Sequence, residues 1–241
     1  MQERVNSKKT VAITVVCIAL IVATLVSTVL YGNEQYYLSS VVIAICTMVP
    51  FFASFEGRAP QARDLVVLAV LIALAVASRA AFFWFPNFKP IAAIVILAGI
   101  AFGPQAGFMT GALSMLVSNF MFGQGPWTPW QMLAFGLAGL VFGILSQKGK
   151  IPSKDYTRKQ VVLLTVGSFF FTWCIIGPLL DVCALFLMVN DITVESALTI
   201  FASGVPVNLT RAIATAILMF LIANPLLDKL ERVKVKYGMG E

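Results

Sequence analysis

The chain has 241 residues, 59% of them hydrophobic and only 12% charged, with a mean hydropathy of +0.91 and a formal net charge of +6. An ordinary soluble domain is about 25% charged, so the composition excludes one and points to a polytopic membrane protein built as one bundle. His is absent, which removes HExxH zinc chemistry, His-based triads and His proton relays.

Eight apolar segments follow one another near residues 11–31, 39–55, 64–83, 89–103, 105–122, 129–147, 160–187 and 206–224, judged against the usual length of about 20 residues per span. The first is long enough to span and has no small-residue cleavage site after it, so it reads as a span and not as a signal peptide. The fourth and fifth are split only by Gly103-Pro104. The expected fold class is therefore all-α, a polytopic membrane helix bundle. Residues 1–55 make two plain N-terminal spans, 56–63 a linker, 64–224 a six-helix core, and 225–241 a basic tail. Cys17, Cys46, Cys174 and Cys183 fall inside apolar runs and read as small buried hydrophobes, not as a disulfide framework.

Basic residues mark alternate loops. Arg4, Lys8 and Lys9 precede the first run, and Arg58 and Arg63 lie between the second and third. Lys148, Lys150, Lys154, Arg158 and Lys159 share one loop, and Lys229, Arg232, Lys234 and Lys236 lie in the tail. The intervening loops hold Lys89 beside Glu34, Asp191 and Glu195. Basic loops stay in the cytoplasm, so both termini are expected there, with the linker and the tail. The net positive charge is then a topology signal and does not imply nucleic-acid binding.

Two cations escape that pattern. Arg79 and Arg211 lie within or beside apolar spans, where a charge is costly and usually functional. Placed by depth, Arg79, Asn119, Asp181, Asn208 and Arg211 all fall in the outer half of the bundle. The loop Gly123-Gln124-Gly125-Pro126-Trp127-Thr128-Pro129-Trp130-Gln131 follows the fifth span on that side. Aromatic faces with a few orienting polar groups are what a small-molecule pocket needs. Each member also has a structural reading. Trp127 and Trp130 would serve as interfacial anchors, Asp181 as a neutralising partner for Arg79 or Arg211, Asn119 as a bond between helices, and Lys89 as a solvated loop charge.

Small residues recur every four positions, at Ala69, Ala73 and Ala77, at Gly99, Gly103, Gly107 and Gly111, and at Gly139 and Gly143. Such spacing puts them on one helix face and lets backbones approach. The glycines read as packing inside the bundle. The alanines fit either packing or a docking face.

Three segments resemble the substrate-binding S components of energy-coupling factor (ECF) transporters: Pro86-Asn87-Phe88-Lys89-Pro90, Gly103-Pro104-Gln105-Ala106-Gly107-Phe108, and Gly123 to Met132. The resemblance covers residues 64–224, and the first two spans are an addition to it. It implies capture of a vitamin or related micronutrient from outside, followed by docking onto a transmembrane T component that carries two cytoplasmic ATPases. It places the protein in the plasma membrane of a prokaryote. The family's docking motif fits Ala69, Ala73 and Ala77. The substrate would be bound by Arg79, Asn119, Trp127, Trp130, Gln131, Asp181, Asn208 and Arg211. Segments 56–63, Asn87 to Pro90 and Gly123 to Trp127 look most like a cobalamin-type subgroup.

No cofactor or metal site is expected, and the chain has no phosphate-binding Gly-rich loop with a following Lys-Ser/Thr. An ion-coupled secondary transporter is the first rival, but such proteins place ionisable groups or broken helices near the midplane, and Asp181 is the one carboxylate candidate. An enzyme is the second rival; the other acidic residues fall in loops or tails, away from any paired arrangement.

Overall fold

In lipid every backbone N–H and C=O must be satisfied within the chain, so apolar runs of this kind fold as helices. The computed structural model describes residues 12–13, 15–24, 26, 36–56, 62–152, 156–189 and 192–236. The helices are α1 (Val15–Thr24), α2 (Tyr36–Glu56), α3 (Ala62–Ala81), α4 (Ile91–Phe102), α5 (Pro104–Phe122), α6 (Trp127–Gln147), α7 (Arg158–Phe171), α8 (Gly177–Met188) and α9 (Val194–Lys236). A π turn, Thr172–Ile176, joins α7 to α8. No strand occurs among the described residues. The protein is an all-α polytopic membrane bundle. Four stretches among the described residues are long and apolar enough to cross a membrane: α3, α6, the continuous run Arg158–Met188, and α9.

The core is built around α4. Ile91 through Ala101 are all buried, which is why this helix is apolar on every side. Its 12 residues reach only ~18 Å at 1.5 Å each, short of the ~30 Å hydrocarbon core. It is a central helix wrapped by its neighbours. Gly103, at φ 90, turns the chain from α4 into α5 in a conformation that other residues resist. Glycine also sets the spacing of α4, α5 and α6. A Cβ on Gly99 would lie 2.9 Å from the Gly139 carbonyl carbon, and one on Gly107 would lie 2.7 Å from the same atom. The glycine stripes are thus internal packing.

The alanine stripe is different. Ala69, Ala73 and Ala77 are exposed, flanked by exposed Val66, Val70 and Leu74. The opposite face of α3 buries Leu68, Leu71, Ala75, Val76 and Arg79.

The second N-terminal helix packs directly on the core. Ala44 meets Trp130 and Cys183, Phe52 meets Phe108 edge-on at 6.3 Å, and Gln105 Nε2 donates to Ser54 Oγ at 2.6 Å. The linker at 57–61 lies outside the described residues. Of the four cysteines, Cys174 differs from expectation: it is exposed, while the other three are buried. It sits in the π turn, which presents Ile175 outward beside it and buries Thr172 and Ile176.

The last helix is much longer than the apolar run 206–224 suggested. It begins at Val194 and contains both Pro206 and Pro225. Its start is fixed by a reciprocal cap: Ser196 N donates to Thr193 Oγ1 at 3.1 Å and Thr193 N donates to Ser196 Oγ at 2.9 Å. Each proline removes one backbone donor, but the remaining helical bonds persist where no water competes for them. The helix continues through the first part of the basic tail to Lys236.

Candidate ligand-binding site

At the end of the bundle opposite the basic loops, polar side chains from five helices are buried. Arg79 is in the last turn of α3 and is only 8% exposed. Its Nη1 donates to Ser118 Oγ at 2.5 Å and to Asn119 Oδ1 at 2.8 Å. Asn119, 1% exposed, is the hub. Its Nδ2 donates to Thr128 Oγ1 at 3.0 Å and to Gln131 Oε1 at 2.8 Å. Thr128 Oγ1 in turn donates to Gln124 Oε1 at 2.9 Å and accepts from Gly125 N at 3.3 Å. The network ties α3, α5 and α6 to the loop between the last two. Buried polar groups are expensive unless bonded, and here they satisfy one another across helices.

A second group joins α8 to α9. Asn208 Nδ2 donates to Asp181 Oδ2 at 2.7 Å, and Arg211 Nη1 donates to Asn208 Oδ1 at 2.9 Å. Asn208 therefore stands between the carboxylate and the guanidinium and binds both. Two glycines make this contact possible. A Cβ on Gly177 would lie 2.7 Å from the Asn208 side-chain carbonyl carbon, and one on Gly204 would lie 2.7 Å from the Asp181 carboxyl carbon.

The two groups are electrostatic neighbours. Arg211 is close enough to repel Arg79 and Lys89 and to attract Asp181. Lys89, in the loop before α4, is half-buried. Burial, and then the charges of Arg79 and Arg211, hold its ammonium below the ordinary value of 10.5. It is not the freely solvated loop charge that its sequence position allows. The Phe122 ring lies 4.8 Å from the Arg79 guanidinium and 5.7 Å from the Lys89 ammonium, within cation–π range. Phe122 carries no sequence signal that separates it from the other phenylalanines.

The tryptophans part company. Trp130 is buried and stacks on Phe186 at 6.2 Å, and its Nε1 has no hydrogen-bond partner among the described residues. Trp127 is 40% exposed, and its ring folds back over Gly125, where a Cβ would collide with it. The structure thus brings Arg79, Asn119 and Gln131 into one network and Asp181, Asn208 and Arg211 into the other. Trp130 packs beside α8, and Trp127 covers the loop. Among the described residues no group of three metal-ligating side chains occurs.

A profile of the S component of ECF-type riboflavin transporters matches residues 60–228. The chain belongs to this family. It is similar to a UPF0397 protein of Streptococcus gordonii, 28% identical over 135 residues, covering 55% of this chain and 70% of the relative. A UPF0397 protein of Staphylococcus aureus strain Newman is 28% identical over 155 residues, covering 63% and 77%. One from Vibrio atlanticus is 31% identical over 116 residues, covering 43% of this chain and 63% of the relative, so the chain spans a little under two thirds of that protein's length. No solved structure matches this chain. The profile begins just before α3 and leaves α1 and α2 outside it. This is a family of transporter subunits and not of enzymes.

Proposed function

We propose that this S component captures a vitamin-sized micronutrient carrying an acidic group from the exterior and delivers it through a T component driven by partner ATPases. One observation carries the reading: Arg79, Lys89 and Arg211 converge on the end of the bundle that buries the carboxylate of Asp181. Uncompensated positive charge in a poorly hydrated site is unfavourable, and a carboxylate or phosphate on the ligand would balance it. Arg79 and Arg211 would hold that group. Lys89 would join them from the loop, and Asp181 would orient Arg211 through Asn208. Gln131 and the free indole N–H of Trp130 offer further hydrogen bonds, and Trp127 would close the loop over the ligand.

The family name directs attention to riboflavin, and the excess of cations directs it to acidic derivatives such as the phosphate ester. The matched relatives carry no substrate in their names. The cobalamin reading leans on segments 56–63, Asn87 to Pro90 and Gly123 to Trp127, the first of which lies mostly outside the described residues; the family match does not support it over riboflavin, and cobalamin is one compound of the panel. The exposed Ala69–Ala73–Ala77 face supports docking of a transmembrane partner, because small side chains on an unpartnered apolar face allow close helix approach.

A thermal-shift titration of the detergent-purified protein against a vitamin panel tests the binding function, since a ligand that binds only the folded state raises its stability by mass action. The Ala73→Trp variant tests the docking face: uptake into proteoliposomes holding the whole transporter is expected to vanish while the ligand-induced shift stays unchanged. A loss of binding instead would make Ala73 internal packing. Uptake that persists without the ATPases would favour the ion-coupled reading.

A further inference from the structure

At the opposite end, α6 and α7 diverge around an apolar cleft of about 630 Å³. Leu145, Phe142, Leu163, Phe170 and Phe171 form its walls, and Lys150 and Gln160 lie at its polar end. Leu163 is 71% exposed and Phe170 51%, so the cleft opens sideways onto the flank of the bundle that faces lipid.

Gly167 also lines this cleft. Glycine inside a helix costs about 1 kcal/mol relative to alanine, and at the other glycines within the described helices that cost accompanies close contact with a neighbouring backbone or side chain. At Gly167 it does not: a Cβ there would meet nothing within 4 Å. The missing side chain leaves room in the cleft instead of seating a neighbouring helix.

The polar end is held in place. Gly149, at φ 68, turns the chain out of α6, and Lys150 N donates to Leu145 O at 3.0 Å. Tyr156 OH donates to Pro152 O, and Asn224 Nδ2 on α9 donates to Tyr156 O at 3.3 Å. The backbone of Lys150 is thereby held at the mouth, with exposed Lys148, Arg158 and Lys159 on the same loop and helix start.

We propose that this cleft binds an acyl chain of an anionic phospholipid, with the lipid phosphate against Lys150 and its basic neighbours. An open apolar slot accepts the chain, and the cations select the head group. Basic pockets between membrane helices on the cytoplasmic side recognise anionic lipids in this way. The proposal is independent of the micronutrient site, which lies at the other end.

Native mass spectrometry of the detergent-purified protein with equimolar phosphatidylglycerol and phosphatidylcholine is the test. Wild type is expected to retain phosphatidylglycerol about fivefold more than phosphatidylcholine, the preference that one basic residue near the head group gives. Lys150→Gln is expected to bring the two toward equality. Gly167→Leu, whose Cβ meets nothing within 4 Å and whose side chain would occupy the slot, is expected to lose both lipids. Equal retention of the two lipids by wild type, or none of either, overturns the proposal, as does unchanged phosphatidylglycerol binding by folded Gly167→Leu. If that variant does not fold, the wild-type ratio and Lys150→Gln still decide.

Discussion

The two ends of the bundle use charge in opposite ways. At the Arg79 end, charged and amide side chains leave the surface, enter the helix interior and bond to one another. At the Lys150 end, the cations stay on the loop and on helix ends, while the space between α6 and α7 is lined by aliphatic and phenyl groups. Positive-inside loops need only solvated charge. Buried charge needs partners, and a fold that supplies them from five helices at one end has concentrated its polar chemistry there.

The comparison can be broken most severely at Arg211. Arg211→Ala removes one of the cations and frees Asn208 from its bond; affinity for the acidic ligand is expected to fall ~10–100-fold, the range for a hydrogen bond to a charged group. Isothermal titration checks this, and unchanged affinity would take Arg211 out of the site. Asn119→Leu comes next. It strands Arg79 and Gln131 without their shared partner, and stability should drop by about 1–3 kcal/mol, read as a lower midpoint in thermal denaturation. A neutral result would mean that the network is not the scaffold of this end.

Lys89 sharpens the contrast through pH. Its folded value is lowered by burial and by two cations, so the cost of charging it is fully present below that value and is relieved as pH rises toward 10.5. Apo stability should therefore rise across that alkaline window, while affinity for the acidic ligand falls as the ammonium is lost. Lys89→Gln should flatten both profiles, and a wild-type profile already flat would return Lys89 to the solvated class. The smallest effect is expected at the other end: Lys148→Gln should leave ligand affinity within about twofold, as exposed charges contribute little. A larger loss there would mean that the two ends are coupled.

Much of this architecture is written in local sequence. The apolar runs and the Gly103-Pro104 break gave the helix order, and four-residue spacing marked the Gly99, Gly107 and Gly139 contacts. Depth counting placed Arg79, Asn119, Asp181, Asn208 and Arg211 at one end. Partner choice was not legible, because Asn208 lies between Asp181 and Arg211 only through the close approach of α8 and α9 at Gly177 and Gly204. Lys89 read as a loop charge because linear position says nothing of the loop folding onto Phe122. The early start of α9 was hidden by Pro206, a usual helix breaker, while the cap at Thr193 and Ser196 sat in a polar stretch.

The most direct measurement is a thermal-shift titration with matched acidic and neutral compounds: flavin mononucleotide against riboflavin, nicotinate against nicotinamide, pyridoxal phosphate against pyridoxal, with cobalamin alongside. The account predicts that one acidic member gives a large, saturable shift and that its neutral partner gives little, because the three cations outnumber Asp181. A shift produced equally by both members of a pair, or only by neutral compounds, would contradict it.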